Sequence, residues 1–189
     1  MNEALPVSVR SEVGRLRTVL LHRPSREVER ITPSNMDQLL FDELLWVEHA
    51  QQEHDAFADL LRANGVEVLY LGRLLADVLE DREVARDVVE RHVTDRTCGP
   101  QAVGRVRELL LDNDPTELVE HLIGGVTVGE VGPGEGLVTV VSGSAEMLLA
   151  PLPNAVCVRD SSAWIGEGVV LSPMNRLVRR RETDLLRTI

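Results

Sequence analysis

Residues 16–24, LRTVLLHRP, give the first indication of the fold class, because a β-branched middle and a closing proline predict a buried strand. Farther along the chain, apolar residues recur at three- and four-residue steps from Val47 to Leu61. That spacing predicts an amphipathic helix, which Gly65 ends in a left-handed conformation. Residues 66–71, VEVLYL, predict a second strand. A strand, a helix and a strand in succession indicate an α/β unit.

From Arg73 the pattern changes to short amphipathic helices that follow one another closely. The segments with this pattern are RLLADVLED, REVARDVVERHV, AVGRVRELLLD and PTELVEHLIGG. In the last of them, Asp114 predicts an N-cap, Pro115 suits the first helical position and Glu117 completes a capping box. We therefore predict an inserted α-helical domain that continues through a glycine-rich loop, TVGEVGPGEGL, to about Met147.

The C-terminal segment returns to α/β character. PLPN predicts a turn, AVCVRD a strand, GEGVVLSPM a further strand and VRRRETDLLRTI a helix. Because a helix in an α/β fold leads to another strand, a chain that stops in this helix is expected to be a truncated part of the fold. The predicted division is an α/β domain at residues 1–72 and 148–189, with the helical insert at residues 73–147.

Composition restricts the class of function. Of the 189 residues, 43% are apolar and 3% are aromatic, which predicts one domain, with or without an insert, around an aliphatic core. A net charge of −11 argues against nucleic acid and anionic membranes as partners, because both require basic patches. We find no apolar signal core at the N-terminus and no apolar run of membrane-spanning length. Two widely spaced cysteines without an export signal predict a cytoplasmic protein with reduced thiols.

Sequence motifs for metals and nucleotides are missing, since the chain has no CxxC pair, no HExxH and no GKS/T phosphate loop. The five histidines form no ligand cluster with the cysteines along the sequence. We therefore expect neither a metal nor a cofactor.

Polar residues near the C-terminus are the candidates for ligand contacts. Asp160, at a predicted strand end, could accept paired hydrogen bonds from a guanidinium or amidinium group. The alternative, which spacing alone favours, is that Asp160 caps the turn DSSAW. Asn154 could orient a ligand carboxylate or carbonyl, or could be an ordinary turn residue. Arg179, Arg180 and Arg181 could supply a carboxylate-binding fork, or could form a solvated helix face.

Other chemically distinctive residues have mainly structural interpretations. Cys157 has no histidine within about thirty residues, so we predict a buried, inert thiol rather than a nucleophile. Cys98 lies in a predicted turn between helices and has no stronger claim to reactivity. His22 follows a buried strand and could be a base, although a structural role is more common there. Trp46 and Trp164 are predicted to be packing anchors.

Three separated motifs resemble signatures of the arginine deiminase family. SEVGRLRTVLLHRPS, residues 11–25, resembles the opening of its members, and ITPSNMDQLLFDELLW, residues 31–46, resembles the signature LTPSN…LLFDD…W. PLPNAVCVRDSSAWIG, residues 151–166, is similar to PLPN…FTRD…W and continues into V…PM…RRRET from Val169 to Thr183. The order and spacing of the motifs agree with the family, as does the position of the helical insert.

The resemblance implies a pentein fold, an α/β propeller of ββαβ modules with an inserted α-helical bundle. It also implies hydrolysis of L-arginine to L-citrulline and ammonia without a cofactor, through a cysteine nucleophile, a histidine and two acids. Asp160 is implied as one of the two acids, Asn154 and Arg179 as contacts to the α-carboxylate, and Leu40 as a contact to the methylenes. An aromatic residue is usual in the family where Cys157 stands. No residue here matches the nucleophile, the histidine or the second acid, so we expect the chain alone to be inactive.

Other interpretations remain open. The chain could belong to another guanidine-modifying enzyme, such as an agmatine deiminase or an amidinotransferase, although Arg179 favours a substrate with a carboxylate. It could also be a truncated or degenerate paralogue that acts as a binding or partner subunit, for which Cys157 is the supporting feature. Homo-oligomerisation is a further expectation, because strands near Val156 and Val170 would otherwise have open edges.

Overall fold

The computed structural model describes residues 8–132 and 143–189, which form a mixed α/β chain. β1 (Thr18–Leu21) and β2 (Glu67–Tyr70) are parallel neighbours along their full lengths. The crossover between them contains α1 (Arg26–Glu29), α2 (Met36–Leu39) and α3 (Val47–Ala63). A helical crossover is the usual way to join parallel strands, and it confirms the predicted strand–helix–strand unit. β1 is only partly buried, which corrects the prediction of a buried strand.

α3 confirms the predicted amphipathic helix, but much of its apolar stripe lies at the surface. Gly65 follows the helix with φ +75°, a conformation that suits glycine. Val47 and Ala58 are buried, whereas Phe57 and Leu60 are 51% and 62% exposed. The three- and four-residue spacing thus predicted the helix correctly and overstated its buried face.

A run of helices follows β2, as predicted. It consists of α4 (Leu71–Leu79), α5 (Arg82–His92), the short α6 (Asp95–Cys98), α7 (Val103–Asp112) and α8 (Pro115–Gly124). The predicted N-cap of α8 is confirmed, because Asp114 Oδ1 accepts from the backbone N–H groups of Thr116 and Glu117 at 2.8 and 3.1 Å. Each such cap satisfies backbone donors that have no partner inside the helix.

The main core is aliphatic, as the composition predicted. It is built mostly from buried leucine and valine side chains, among them Leu75, Leu79, Val88, Val89, Val106, Leu110, Leu118 and Leu122. Residues near the C-terminus belong to the same buried cluster, including Leu149, Leu152, Val158 and Leu185. The polar segments that contain Asn154 and Asp160 are therefore anchored directly on the helical core.

Short strands complete the described chain. β3 (Val126–Thr127) pairs antiparallel with β4 (Met147–Leu149), and α9 (Val128–Val131) follows β3. The predicted glycine-rich loop covers residues 127–137; residues 128–131 form α9 instead of a loop, and residues 133–137 lie outside the described residues.

The segment AVCVRD is not a strand, which corrects our prediction. Residues Pro153–Val156 form a 3₁₀ turn, and Val158–Ser161 form the one-turn helix α10. The physical reason is the spacing of the two side chains that reach the core, Ala155 and Val158, which are three residues apart and both buried. A helical turn places such a pair on one face, whereas a strand would place it on opposite faces.

Beyond this turn the predicted strand and helix are both present. β5 (Ser162–Ile165) and β6 (Gly168–Leu171) form an antiparallel hairpin. α11 (Arg180–Thr188) follows, and it buries Leu185 and Leu186 in the main core. The start of α11 thereby comes to lie next to α10.

Candidate binding site

Asp160 and Arg179 meet in the structure although they lie nineteen residues apart. Arg179 Nη1 donates to Asp160 Oδ2 at 2.9 Å. α10 presents Asp160 with half of its side chain exposed, whereas the Arg179 side chain is only 12% exposed. The pair therefore stands at the boundary between the core and solvent, with the carboxylate on the outer side.

Glu182 completes this cluster, and our sequence analysis did not identify it. Arg179 Nε donates to Glu182 Oε1 and Oε2 at 3.0 and 3.1 Å, and Arg179 Nη2 donates to Glu182 Oε2 at 2.9 Å. The Glu182 side chain is 3% exposed. The available signal was the spacing of three residues on a helix, which brings an acid and a base onto one face.

The two ends of the Arg179–Glu182 pair respond differently to burial. Burial alone would lower the pKa of Arg179, but the hydrogen bonds to Glu182 and Asp160 outweigh it and the pKa is raised. Burial raises the pKa of the Glu182 carboxyl, and its hydrogen bonds with Arg179 oppose that change. Because an arginine side chain stays protonated in proteins, Glu182 is the titrating partner of the pair.

Asn154 joins the same region to the loop after α2. Its Nδ2 donates to the backbone carbonyl of Leu39 at 2.8 Å. Leu39 belongs to a small buried cluster with Val28, Ile31 and Val47, against which Val178 packs. Leu39 and Val178, which precede Leu40 and Arg179, therefore share one apolar cluster, and the hydrogen bond attaches Asn154 to it.

Leu40 has an unusual conformation at this junction. It is the only described non-glycine residue with a positive φ, +65°, and its side chain is 41% exposed. A left-handed leucine is strained, so the surrounding contacts must hold it in place. The structure thus presents an apolar side chain at the surface beside the carbonyl that Asn154 binds.

Neither cysteine has the environment of an activated nucleophile. Cys157 is exposed, which corrects our prediction of a buried thiol, and Cys98 is buried. Partial desolvation of the sulfur and the nearby Asp160 carboxylate raise the pKa of Cys157, and burial raises that of Cys98. A raised pKa reduces the thiolate fraction that nucleophilic attack requires.

The three consecutive arginines have three different environments, which corrects the interpretation of a solvated face. Arg179 pairs with Asp160 and Glu182, and Arg180 is exposed. Arg181 is half-buried, and it donates to the carbonyl oxygens of Leu122 and Ala150. Burial lowers the pKa of Arg181 to about 10.

The remaining candidates divide between structural and surface positions. His22 is buried, with Nε2 3.1 Å from Oε1 of the buried Glu27, in agreement with a structural role. Trp46 is 71% exposed and stacks on His49, so it is not a packing anchor. Trp164 is half-buried and donates from Nε1 to Ser162 Oγ at 3.2 Å.

Metal-ligand clusters and membrane-spanning helices are both absent from residues 8–132 and 143–189. In these ranges no three or more His, Cys, Asp and Glu side chains are grouped so that they could hold a metal ion. No helix in the described part of the chain is long and apolar enough to cross a membrane.

The cluster combines an acceptor for a cation with donors for an anion. Asp160 offers a half-exposed carboxylate to a cationic group. Arg179 has five N–H donors, of which three are used by the described carboxylates. The other two lie on Nη1 and Nη2 and can meet an anion.

Comparison with known proteins identifies the family. The family model described as arginine deiminase matches residues 37–189. The chain is 44% identical over 184 residues to an arginine deiminase of Mycolicibacterium gilvum (strain PYR-GCK), a match that covers 95% of this chain and 46% of the relative. It is 38% identical over 189 residues to an arginine deiminase of Streptococcus agalactiae serotype Ia, covering 97% of this chain and 46% of the relative.

The chain belongs to the arginine deiminase family, and it spans about half the length of these curated relatives. The family model includes Leu40, Asn154, Asp160 and Arg179, the four residues proposed from the sequence, and also Glu182. The predicted family membership is confirmed.

Proposed function

We propose that this chain forms part of the substrate pocket of an enzyme that hydrolyses L-arginine to L-citrulline and ammonia. Asp160 binds the substrate guanidinium, Arg179 and Asn154 bind its α-carboxylate, and Leu40 contacts its methylenes. The observation that carries the proposal is the pairing of Arg179 Nη1 with Asp160 Oδ2 at 2.9 Å. This pairing supports the proposal, because Asp160 can accept from a guanidinium and Arg179 can donate to a carboxylate.

The Arg179–Asp160 pair resembles an internal copy of the substrate's own charges. A ligand with only one charged end forms one new pair, with either Asp160 or the free N–H groups of Arg179. L-arginine carries both charges, so it forms two new pairs. Since each charge-assisted hydrogen bond contributes on the order of 1.5–3 kcal/mol, the site favours a ligand with both ends.

The wider architecture follows from the family. We propose a pentein fold of ββαβ modules, with residues 1–72 and 148–189 in the propeller and residues 73–147 as an inserted helical bundle. The parallel pair β1–β2 and the run of five helices after it support this division. A cytoplasmic location and assembly of several copies belong to the same proposal.

The described residues supply substrate contacts rather than a nucleophile, so we expect no turnover by the 189-residue chain alone. Both cysteines have raised pKa values, which supports this expectation. The same observation supports the second candidate function, a binding or partner subunit without catalysis. Detectable citrulline that Cys157→Ser abolishes would overturn both statements.

Calorimetric titration with L-arginine tests the pocket. Asp160→Ala is expected to weaken binding at least about tenfold, because the guanidinium loses its carboxylate partner. Asp77→Ala is the matched control, since Asp77 is an exposed aspartate on α4. Equal affinities for the wild-type chain and Asp160→Ala, or no binding by the wild-type chain, would overturn the assignment of Asp160 on this chain.

Agmatine, which lacks the carboxylate, tests the role of Arg179 in the same titration. We expect arginine to bind at least about tenfold more tightly than agmatine, since only arginine supplies an anion for Arg179. Equal affinities would favour an agmatine-type substrate and contradict the assignment of Arg179.

A further inference from the structure

Glu182 directs both of its carboxylate oxygens to a single side chain. Three contacts of 2.9–3.1 Å join them to Nε and Nη2 of Arg179. These two nitrogens form the side edge of the planar guanidinium, which matches a carboxylate in a bidentate manner. A pair with this geometry fixes the plane of the guanidinium as well as its position.

The surroundings of Glu182 make this contact specific. The residue is 5% exposed and lines a small apolar cavity with Ala155, Val158 and Leu185. A carboxylate in such surroundings needs a strong partner, because burial of an unpaired charge is costly. Of the described residues, Arg179 alone donates side-chain hydrogen bonds to Glu182.

Glu182 lies in the first turn of α11, so its carboxylate could instead stabilise only the N-terminus of this helix. Carboxylates at helix N-termini interact favourably with the helix dipole and often accept from backbone N–H groups. At this helix no side-chain cap hydrogen bond is present, and both oxygens of Glu182 face Arg179. The orientation of the carboxylate therefore points to Arg179 as its target.

We propose that Glu182 is a positioning residue that holds Arg179 in the orientation needed to receive a substrate carboxylate. The proposal rests on the proposed function of this site. Glu182 occupies the Nε–Nη2 edge, so the remaining N–H groups of Nη1 and Nη2 are directed to the side where Asp160 lies. Without Glu182, the Arg179 guanidinium is free to rotate and can contact Asp160 through any of its N–H groups.

The first test measures the orientation itself. Hydrogen exchange of the Arg179 Nε–Hε group is followed by ¹⁵N NMR in the wild-type chain and in Glu182→Gln. We expect exchange at least about tenfold faster in the variant, because the Nε–H loses a charged acceptor. Asp59→Asn is the matched control, and it should leave the exchange of Arg179 Nε–Hε unchanged. Asp59 forms an exposed ion pair with Arg62 at 2.9 Å, with the same three-residue spacing as Arg179 and Glu182. Unchanged exchange in Glu182→Gln would overturn the proposal.

The second test separates positioning from a general loss of structure. Affinities for arginine and agmatine are measured with the wild-type chain, Glu182→Gln and Glu182→Asp. We expect Glu182→Gln to weaken arginine binding at least about tenfold while agmatine binding is kept, and Glu182→Asp to recover part of the difference because it restores the charge. An equal loss for both ligands would show a structural role and overturn the proposal.

Failure of the proposed function gives a different result. If the wild-type chain binds neither ligand, the proposed pocket fails, and the exchange measurement alone decides whether Glu182 orients Arg179. If the wild-type chain prefers arginine and Glu182→Gln keeps the same preference, the pocket stands and the positioning role is refuted.

Discussion

His92 provides a stringent test of the electrostatics of the buried core. It lies at the end of α5, its side chain is 2% exposed, and Arg181 Nε donates to its Nδ1 at 3.4 Å. The ring must therefore be neutral on Nδ1 in order to accept this hydrogen bond. Burial, followed by the charges of Arg181 and Arg91, lowers the pKa of His92 to about 3.

One acidic group faces the same ring. Asp184 Oδ2 lies 3.2 Å from His92 Nε2, but the angle does not make a hydrogen bond. Two arginines and the cost of burial outweigh this one carboxylate, so the pKa of His92 is lowered. The neutral ring is the folded form over the whole range above about pH 3.

The sign of the pH effect follows from linkage. Between its unfolded value of about 6.5 and its folded value of about 3, His92 binds a proton in the unfolded chain and not in the folded one. Stability contributed by the neutral ring is therefore present above pH 6.5 and is lost as the pH falls. At 1.36 kcal/mol per pH unit, the loss between pH 7 and pH 4.5 is about 3 kcal/mol.

The assay compares wild-type protein with His92→Asn in urea unfolding at pH 7 and pH 4.5, followed by circular dichroism. Asparagine can accept from Arg181 and does not titrate, so the variant should lose about 3 kcal/mol less than wild type on acidification. His49→Asn, at an exposed histidine on α3, should leave the wild-type pH dependence unchanged. A matching pH dependence in wild type and His92→Asn, or an NMR titration of His92 near pH 6.5, would refute the reasoning.

The remaining predictions concern the ends of α8 and the glycine that follows it. Asp114→Ala removes the N-cap and should lower the free energy of unfolding by about 1 kcal/mol, whereas Asp77→Ala on an exposed helix face should not. Gly125→Ala should be more damaging than Gly99→Ala, as thermal and urea unfolding would show. Both glycines have a φ that alanine tolerates poorly, about 1–3 kcal/mol each, but an added Cβ at Gly125 would approach Leu149 O and at Gly99 would meet open space. Equal losses at the two glycines would contradict this packing argument.

Local signals predicted most of the secondary structure correctly. The strand from Thr18, the helix from Val47 and the cap at Asp114 depend on periodicity and capping, which act over a few residues. The segment around Val158 was predicted incorrectly, because alternation of apolar residues does not reveal which side chains reach the core. Packing of Ala155 and Val158 decided its conformation.

The candidate site shows the same division. The motifs identified Asp160 and Arg179 as residues of interest, but no local pattern states that they form a contact at 2.9 Å. Glu182 was missed because a glutamate in an arginine-rich helix start is most simply interpreted as a solvent-exposed acid. Its burial is visible only once α11 is seen to pack Glu182 and Leu185 against Ala155 and Val158.

The sequence by itself determined the α/β class, the helical run after residue 73 and membership of the arginine deiminase family, because these depend on residue order and spacing. Only the tertiary structure decided which of three adjacent arginines binds backbone carbonyls, which faces solvent and which joins the acidic cluster. The physical reason is that burial and ion pairing depend on neighbours distant in sequence. For Arg181 those neighbours are Leu122 and Ala150, and for Arg179 the distant neighbour is Asp160.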